Sequence, residues 1–305
     1  DEIVQNPTIA SCIEAGKLAK GYGADFIIGI GGGSPLDAAK IVAVCAANPK
    51  TEEDDLYARK WIKDALPVLL IGTTAGTGSE VTPVSVLTDS RGRKRSIRDE
   101  RIYAKISFGD PRYTETLPRE FVLSTAVDAL AHCIESYFSK KANDISAAFA
   151  LRGAAILRET LGSVLQSNTK LDLDQRERLY NASILGGLAI SVTGTTFPHN
   201  MGYFLSEDYG VAHGNACAVY LPELLRYAEK CAPERISSFF AAIGGDIDCL
   251  IDLIERITPK LDIILTEEDI KRLMPRWENN SSVASTVGNV TADMIEKILR
   301  DKFCK

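Results

Sequence analysis

The chain has 305 residues, of which 45% are hydrophobic and 25% are charged, and its formal net charge is −6. These values are typical of a globular protein with a full apolar core, and the length favours two domains. We expect no nucleic-acid partner, because no basic stripe with interleaved aromatics is present, and no membrane partner, because no apolar run is long enough to span a bilayer.

The first third of the chain alternates helical and strand patterns, which predicts an α/β domain with a parallel sheet. The basic run 91–95 has the composition of a solvated turn, with Lys94 set apart as an exception. The predicted elements are, in chain order, a helix over 7–22 with Pro7 at its first position, a strand over 25–30, a helix over 35–47, a polar loop over 48–55, and strands over 66–71, 84–87 and 104–108.

Beyond Asp110 the pattern becomes helical, which predicts a second, all-helical domain. We place the boundary near Asp110-Pro111, which gives domains over 1–110 and 111–305. The predicted helices cover 118–138, 143–166, 173–191 and 215–230.

The seven cysteines contain no CxxC pair and follow no regular spacing. In a chain of this size, that pattern predicts reduced, mostly buried thiols. No signal peptide opens the chain. Both features predict a cytoplasmic protein.

The segment GGGSPLDAAK, residues 31–40, joins the first predicted strand to a predicted helix. Ser34 suits the N-cap and Pro35 the first helical position. Asp37 lies in the first turn, where the positive end of a helix favours a carboxylate. Glycines between a strand and a helix N-terminus expose backbone N–H groups, so this loop is suited to an anion.

A second loop of this kind follows the strand over 66–71, and its sequence over 72–80 is GTTAGTGSE. A tight turn explains either loop alone. Two such loops on neighbouring strand ends instead favour a diphosphate ligand, although neither matches a GxGxxG or Walker A pattern.

The chain contains three histidines, His132, His199 and His213. Asp128 precedes His132 by four residues, so both side chains share one face of the helix over 118–138. One aspartate and three histidines form a suitable ligand set for a divalent transition metal, Fe(II) or Zn(II). Glu135 lies on the same side of that helix, either as an outer group of the site or at the surface.

Taken together, these motifs resemble the iron-containing (group III) alcohol dehydrogenase family. The resemblance runs in order from Asn6-Pro7-Thr8 to the C-terminus. The motifs that carry it are GGGSPLDAAK, TTAGTGSEVT, the run from Phe108-Gly109-Asp110-Pro111 through Leu117-Pro118 to DALAHCIE, and the pair His199 and His213, fourteen residues apart.

The resemblance implies the following site residues. A metal ion would be held by Asp128, His132, His199 and His213. The cofactor diphosphate would contact Gly32, Gly33 and Ser34 with Asp37 nearby, and Thr73, Thr74, Thr77, Ser79 and Lys94 would line the cofactor cleft. The implied fold is an α/β dinucleotide-binding domain followed by an all-helical metal domain, with the active site between them.

Two departures of this sequence from the family pattern bear on the cofactor and substrate sites, and a third, Gly72 in place of a usual proline, is minor. Relatives begin with a further βαβ segment that holds the adenosine end of the cofactor, and here the chain starts just before Asn6, so we expect a dinucleotide-binding domain without that segment. Many relatives also carry a histidine four residues after the counterpart of His199, and this chain has Tyr203 there. We predict that Tyr203 lines the substrate pocket. Phe138, Val192, Phe197 and Phe204 are further pocket candidates, but for each of these aromatics a place in the helical core is favoured.

The resemblance implies hydride transfer between NAD or NADP and a small alcohol or aldehyde, with Fe(II), or alternatively Zn(II), as Lewis acid. It also implies a homodimer or a higher homo-oligomer. Three alternatives stay open: a glycerol dehydrogenase of the same superfamily, a metal- and NAD-dependent lyase similar to dehydroquinate synthase, and a non-catalytic relative. A metal hydrolase is disfavoured because it leaves the two glycine loops unexplained.

Overall fold

The computed structural model describes residues 3–167 and 169–304. The first part of the chain contains both strands and helices. Its elements are α1 (Ile9–Gly21), β1 (Ile27–Gly31), α2 (Gly33–Ala47), α3 (Glu53–Ala58), β2 (Val68–Gly72), β3 (Val84–Thr88), β4 (Lys94–Arg98) and β5 (Ile106–Phe108).

Strands β1, β2 and β5 form a parallel sheet in that order, which confirms the predicted α/β class. Gly31 at the end of β1 pairs in register with Gly72 at the end of β2. The two glycine-rich loops therefore leave the same edge of the sheet side by side. This register is what brings both loops to one site.

Five local predictions in this region were wrong. Strand β3 lies outside the parallel sheet and pairs antiparallel with β4, whose Lys94 and Arg95 come from the basic run assigned to a turn. Helix α3 occupies part of the predicted loop, because the side chains of Glu52 and Asp55 form a capping box at its start. The remaining errors concern helix starts: α1 begins at Ile9 after the N-cap Thr8 and not at Pro7, and α2 is capped by Gly32 and not by Ser34.

The second part of the chain is helical where the structure describes it. Its helices are α4 (Arg119–Tyr137), α5 (Asp144–Gln166), α6 (Leu173–Thr193), α7 (Phe197–Tyr209), α8 (His213–Ala218), α9 (Leu221–Cys231), α10 (Pro233–Ile243), α11 (Ile247–Ile257), α12 (Glu267–Leu273), α13 (Ser281–Ser285) and α14 (Ala292–Phe303).

The helix predicted over 215–230 is in fact two helices, α8 and α9. A turn at Val219-Tyr220 separates them, and Pro222 lies at the start of α9, where its missing N–H costs no helical hydrogen bond. Within the described residues, the helices from α10 onward and α7 were not predicted from sequence. The short helix α8 begins at His213, one of the predicted metal ligands.

Helix α4 forms the centre of the helical part and packs against α5, α6 and α8. Its residues from Ala126 to Tyr137 are all buried. In the first part, α2 is buried along most of its length, between α1 on one side and the sheet on the other. Helix α2 and helix α4 are thus held rigidly, and each carries part of the site.

The structure records all seven cysteines as free thiols, and Cys12, Cys45, Cys133 and Cys217 are buried. No helix among the described residues is both long enough and apolar enough to cross a membrane.

Candidate active site

A cavity of about 630 Å³ lies where the parallel sheet faces the helical part. Both parts of the chain contribute side chains to it. Of the residues predicted from sequence, those that line it are Gly32, Gly33, Ser34, Asp37, Thr74, Thr77, Ser79, Lys94, Asp128, His132, His199, Tyr203 and His213. Thr73 does not line the cavity, and its backbone N–H instead donates to the carbonyl of Gly31 at 2.9 Å.

The start of α2 leaves backbone N–H groups available at this cavity. Gly32 is the N-cap and makes no side-chain capping hydrogen bond. The Ser34 hydroxyl does not cap the helix and accepts a hydrogen bond from the Asn6 N–H at 3.2 Å. The N–H groups of the first turn have no partner within the helix, so they can bind an anion at this end.

Close contact between the two loops explains two of the three glycines. A Cβ atom placed on Gly32 would lie 3.1 Å from Thr74 Cγ2, and one on Gly33 would lie 2.7 Å from Thr77 Cγ2. The second distance is shorter than real side chains adopt. The glycines therefore let the threonine-bearing loop pack directly over the N-terminus of α2.

Asp37 and Ser79 bind each other as well as lining the cavity. The Ser79 hydroxyl donates to Asp37 Oδ1 at 2.5 Å, and the Val86 N–H donates to Asp37 Oδ2 at 2.8 Å. Lys40, which is fully buried, donates to the Ser79 hydroxyl at 2.8 Å and to the Val84 carbonyl at 2.5 Å. This network connects α2 to the second loop and to β3, and Lys40 was not singled out from sequence.

Lys94, at the start of β4, lines the cavity close to the helical part. Its backbone N–H donates to Glu207 Oε1 at 2.7 Å, which ties the hairpin to α7. Burial lowers the pKa of its ammonium group, while Cys217, Glu207 and Asp128 act in the opposite direction.

The structure brings together the four residues predicted as metal ligands. Helix α4 supplies Asp128 and His132, α7 supplies His199 in its first turn, and α8 begins at His213. The His199 Nε2 lies 3.3 Å from Asp128 Oδ1, and the His213 Nε2 lies 3.9 Å from the same oxygen. The rings of His132 and His199 stack with centroids 4.6 Å apart.

Helix α8 approaches α4 so closely that a side chain is excluded between them. A Cβ atom on Gly214 would lie 1.9 Å from the Ser124 carbonyl oxygen and 2.9 Å from Asp128 Cβ. Because Gly214 follows His213 directly, this contact places the imidazole next to the Asp128 carboxylate.

Several buried polar atoms of this cluster have no hydrogen-bond partner. They are Asp128 Oδ1, His132 Nδ1 and His199 Nε2, in side chains that are at most 5% exposed. Burying an acceptor without a partner costs about 1–3 kcal/mol. A carboxylate and imidazoles that converge in this way are the donors that a divalent transition metal needs, so the residues fit such an ion.

The Glu135 carboxylate contacts the His199 ring on the side opposite Asp128. Its buried carboxylate accepts hydrogen bonds from the Thr196 N–H at 2.7 Å, the Thr196 hydroxyl at 3.0 Å and the His199 N–H at 3.5 Å, and it also contacts His199 Nδ1. Nδ1 thus faces Glu135 and Nε2 faces Asp128. Carboxylates commonly fix the tautomer of metal-binding histidines in this way. Sequence reasoning left the role of Glu135 open, and its spacing of three from His132 was the available signal.

A thiol also belongs to this cluster. Within the described part of the chain, donor atoms that all lie within 4.8 Å of one another come from Asp128, His199, His213 and Cys217. The sequence analysis did not include Cys217 in the site, although it follows His213 by four residues and so shares its helix face. His132 supplies no atom to this group of four.

Burial and neighbouring ionisable groups shift the pKa values of the side chains in this cluster. Burial disfavours the charged Asp128, but the surrounding histidines outweigh it and hold the pKa of this carboxyl below its usual range. Burial lowers the pKa of His213 to about 3 and also lowers the pKa of His132. Near neutral pH the cluster therefore offers one carboxylate and at least two neutral imidazoles.

Tyr203 is the one aromatic pocket candidate that lines the cavity among those predicted. Its ring stacks on His213 with centroids 5.9 Å apart. Burial raises the pKa of its phenol, so this group stays protonated near neutral pH. The other candidates lie elsewhere: Phe138, Phe197 and Phe204 are buried in the apolar core, and Val192 is 41% exposed outside the cavity.

Two family models match this chain. A model described as iron-containing alcohol dehydrogenase matches residues 1–111, and one described as the C-terminal part of the Fe-containing alcohol dehydrogenase family matches residues 122–274. Long-chain-alcohol dehydrogenase 1 of Geobacillus thermodenitrificans is 32% identical over 83% of this chain, which spans 64% of that relative's length.

Solved structures show the same fold. An iron-containing alcohol dehydrogenase from Thermotoga maritima is 33% identical, with a TM-score of 0.90 over 99% of this chain and 82% of that one. A sulfoacetaldehyde reductase from Bifidobacterium kashiwanohense, in complex with NAD+, is 27% identical, with a TM-score of 0.88 over 99% of this chain and 82% of that one. The chain belongs to the iron-containing alcohol dehydrogenase family, as the sequence motifs predicted.

Proposed function

We propose that this chain carries the active site of a metal-dependent alcohol dehydrogenase or aldehyde reductase that transfers hydride between NAD or NADP and a small alcohol or aldehyde. One observation supports this most directly. The N-terminus of α2 has free backbone N–H groups that can bind an anion. It lines the same cavity as the cluster of Asp128, His132, His199 and His213. A cofactor diphosphate at the first and a metal ion with its substrate at the second would then share one cavity.

Asp128, His132, His199 and His213 are the proposed ligands of Fe(II), with Zn(II) as the alternative. When bound, such an ion acts as a Lewis acid on the substrate oxygen. The protein's task is to hold its donors in one geometry. Helix α4 does this for Asp128 and His132, and the Glu135 carboxylate does it for His199.

Gly32, Gly33 and Ser34 are proposed to bind the diphosphate of NAD or NADP through backbone N–H groups. When bound, the nicotinamide supplies or accepts the hydride. Thr74, Thr77 and Lys94 line the path from this anion site towards the histidines. The buried network of Asp37, Lys40 and Ser79 keeps the two loops in register, which is the positioning that hydride transfer needs.

Tyr203 is proposed to orient the substrate. Its phenol keeps its proton near neutral pH, so it can donate a hydrogen bond to a substrate oxygen but is a poor base. Tyr203→Phe should alter kcat or KM for aldehyde reduction without changing the metal content. Unchanged kcat and KM would exclude this role.

The metal content of protein purified without oxygen or chelator tests the proposal, combined with oxidation of NADH and of NADPH on short-chain aldehydes. We expect about one Fe or Zn per chain, lost together with activity in His199→Ala. The matched control is Glu120→Gln, an exposed change on α4, which should keep both. Protein without bound metal would contradict the proposed ligand set, and a preference for glycerol would favour the glycerol dehydrogenase alternative.

A further inference from the structure

One wall of the cavity, close to the metal cluster, is polar and carries a lysine. Three segments of the helical part form it: the turn after α4, the residues at the start of α7, and the short helix α13. We call it the polar wall, and its cavity-lining residues are Lys141, Thr195, Asn200, Ser281, Ser282 and Ser285.

Hydrogen bonds hold the three segments of the polar wall together. The Lys140 N–H donates to the Ser285 carbonyl at 2.7 Å, and the Ser285 hydroxyl donates to the Thr195 carbonyl at 3.3 Å. Thr195 comes two residues before α7, and His199 lies in the first turn of that helix. The polar wall is therefore fixed in place about one helical turn from a proposed metal ligand.

The Lys141 ammonium group has no protein partner within the described part of the chain. The hydrogen bond that Lys141 donates there comes from its backbone N–H, to Ser139 Oγ at 3.2 Å. The ammonium group of its neighbour Lys140 instead donates to the Ala284 carbonyl at 2.9 Å. Lysines just after a helix often bind its last carbonyl groups. Lys141 binds none of those of α4, so its positive charge is available to the cavity.

The polar wall also offers free hydrogen-bond donors. Thr195, Asn200 and Ser282 make their hydrogen bonds to other described residues through backbone atoms. Two hydroxyls and one amide are thus left without a partner, and all three side chains line the cavity. Such groups can bind a polar ligand directly, which a wall of apolar side chains cannot do.

The polar wall contains no carboxylate. The acidic residues that line the cavity, within the described part, are Asp37 and Asp128. Asp37 accepts hydrogen bonds from the Ser79 hydroxyl and the Val86 N–H beside α2, and Asp128 belongs to the metal cluster. A lysine and free donors without a neighbouring acid favour an anion over a neutral or cationic group.

We propose that the substrate carries a carboxylate at the end remote from its aldehyde or alcohol group, and that Lys141 and the polar wall bind this carboxylate. The inference rests on the proposed function and narrows its substrate class. The carboxylate itself does not react: a hydride and a proton add across the aldehyde C=O bond and give a hydroxy acid. Lys141 orients the substrate and determines specificity, without contact to the reacting atoms.

The cofactor diphosphate is a different anion with a different place. Its proposed site is the N-terminus of α2, in the first part of the chain, whereas every residue of the polar wall belongs to the helical part. Removing the Lys141 charge should therefore change the KM for the substrate and leave the KM for NADH or NADPH unchanged.

The test compares aldehydes that differ in one terminal carboxylate, with the metal-loaded full chain at saturating cofactor. The pairs are succinic semialdehyde against butanal and glutaric semialdehyde against pentanal. The variants are Lys141→Met, which removes the charge, and Lys141→Arg, which keeps it. Lys140→Met is the matched control, because it removes the adjacent charge from a side chain that does not line the cavity.

We expect the wild type to prefer the semialdehydes. In Lys141→Met their kcat/KM should fall by about tenfold, mainly through KM, while the values for butanal and pentanal stay unchanged. Lys141→Arg should keep most of the preference, and Lys140→Met should leave the ratio within each pair unchanged. Added salt should reduce the wild-type preference, because Lys141 is exposed.

A binding measurement separates this inference from the proposed function. Calorimetric titration of the metal-loaded chain without cofactor compares γ-hydroxybutyrate with n-butanol. Tighter binding of γ-hydroxybutyrate that is lost in Lys141→Met supports the inference, even where no aldehyde is turned over, a result that would contradict the proposed function alone. Reduction of butanal with no preference for the semialdehydes, or a preference that persists in Lys141→Met, would overturn the inference and leave the proposed function standing.

Discussion

The two halves of the site are built in different ways. The cofactor half consists of backbone N–H groups and small side chains from two consecutive loops, and Gly31 and Gly72 start those loops in register. The metal half consists of charged and aromatic side chains from α4, α7 and α8, which are far apart in sequence. The cofactor half is therefore specified by local motifs, whereas the metal half depends on helix packing and on supporting residues such as Glu135.

Of these changes, Gly214→Ala should lower stability and metal binding the most, and its direct contacts lie in the metal half of the site. The added methyl would meet the Ser124 carbonyl oxygen at 1.9 Å, so α8 must move away from α4. Overpacking of this kind costs about 1–3 kcal/mol or more. We expect a lower melting temperature and loss of metal binding, measured by thermal unfolding and metal analysis.

Gly162→Ala is the control for this change. Gly162 lies inside α5 and nothing would approach its Cβ within 4 Å, so alanine should stabilise the helix by about 1 kcal/mol or less. Equal stability of Gly214→Ala and the wild type would show that the contact between α8 and α4 is not tight.

Glu135→Gln should weaken metal binding by about 10–100-fold. One carboxylate oxygen of Glu135 accepts from the Thr196 N–H and the other from His199 Nδ1–H. Glutamine has one oxygen and an NH2 group that only donates, so one of these two N–H groups loses its acceptor. Chelator competition measures this effect, with Glu120→Gln as the control on the same helix. Full metal affinity in Glu135→Gln would mean that α7 alone holds His199.

Gly33→Ala should weaken NADH or NADPH binding by about tenfold and leave metal content unchanged. The new methyl would press on Thr77 Cγ2 at 2.7 Å and displace the second loop. Fluorescence titration of the reduced cofactor measures this. Adding Thr77→Ser removes the shortest of these contacts but leaves Thr77 Cβ at 3.1 Å and Oγ1 at 3.2 Å from the new methyl, so the double variant should recover part of the affinity. Loss of metal in Gly33→Ala would show that the two halves are not independent.

Glu80→Gln should give the smallest effect, at the junction between the halves. Burial raises the pKa of Glu80 above its ordinary value of 4.5, and its carboxylate accepts a hydrogen bond from the α6 residue Tyr180 at 3.0 Å. A raised folded pKa means that the folded protein binds the proton more tightly than the unfolded chain does. Wild-type stability is thus reduced as pH rises from 4.5 through that folded pKa.

Glutamine does not titrate, so the melting temperature of Glu80→Gln relative to the wild type should increase from acidic to neutral pH. Thermal unfolding across this pH range measures the difference. A difference that does not vary with pH would contradict the predicted ionisation of Glu80.

Many features of the fold and of the candidate site could be predicted from sequence because they depend on residues that are close together in the chain. The strand, glycine loop and helix pattern around 26–47 has a period and a composition that specify an α/β unit. The spacing of Asp128 and His132 places both on one helix face whatever the tertiary structure. The order of the motifs was sufficient to identify the family.

The antiparallel hairpin of β3 and β4 pairs residues only six to fourteen positions apart, so this was local information that the sequence analysis missed by assigning the basic run to a turn. Other features were decided by the tertiary structure. The N-cap of α2 is Gly32, and the Ser34 hydroxyl accepts a hydrogen bond from the Asn6 N–H instead of capping the helix. The contacts of Glu135 and Cys217 form only when α7 and α8 pack on α4. Distances between side chains on different helices cannot be derived from their spacing in the sequence.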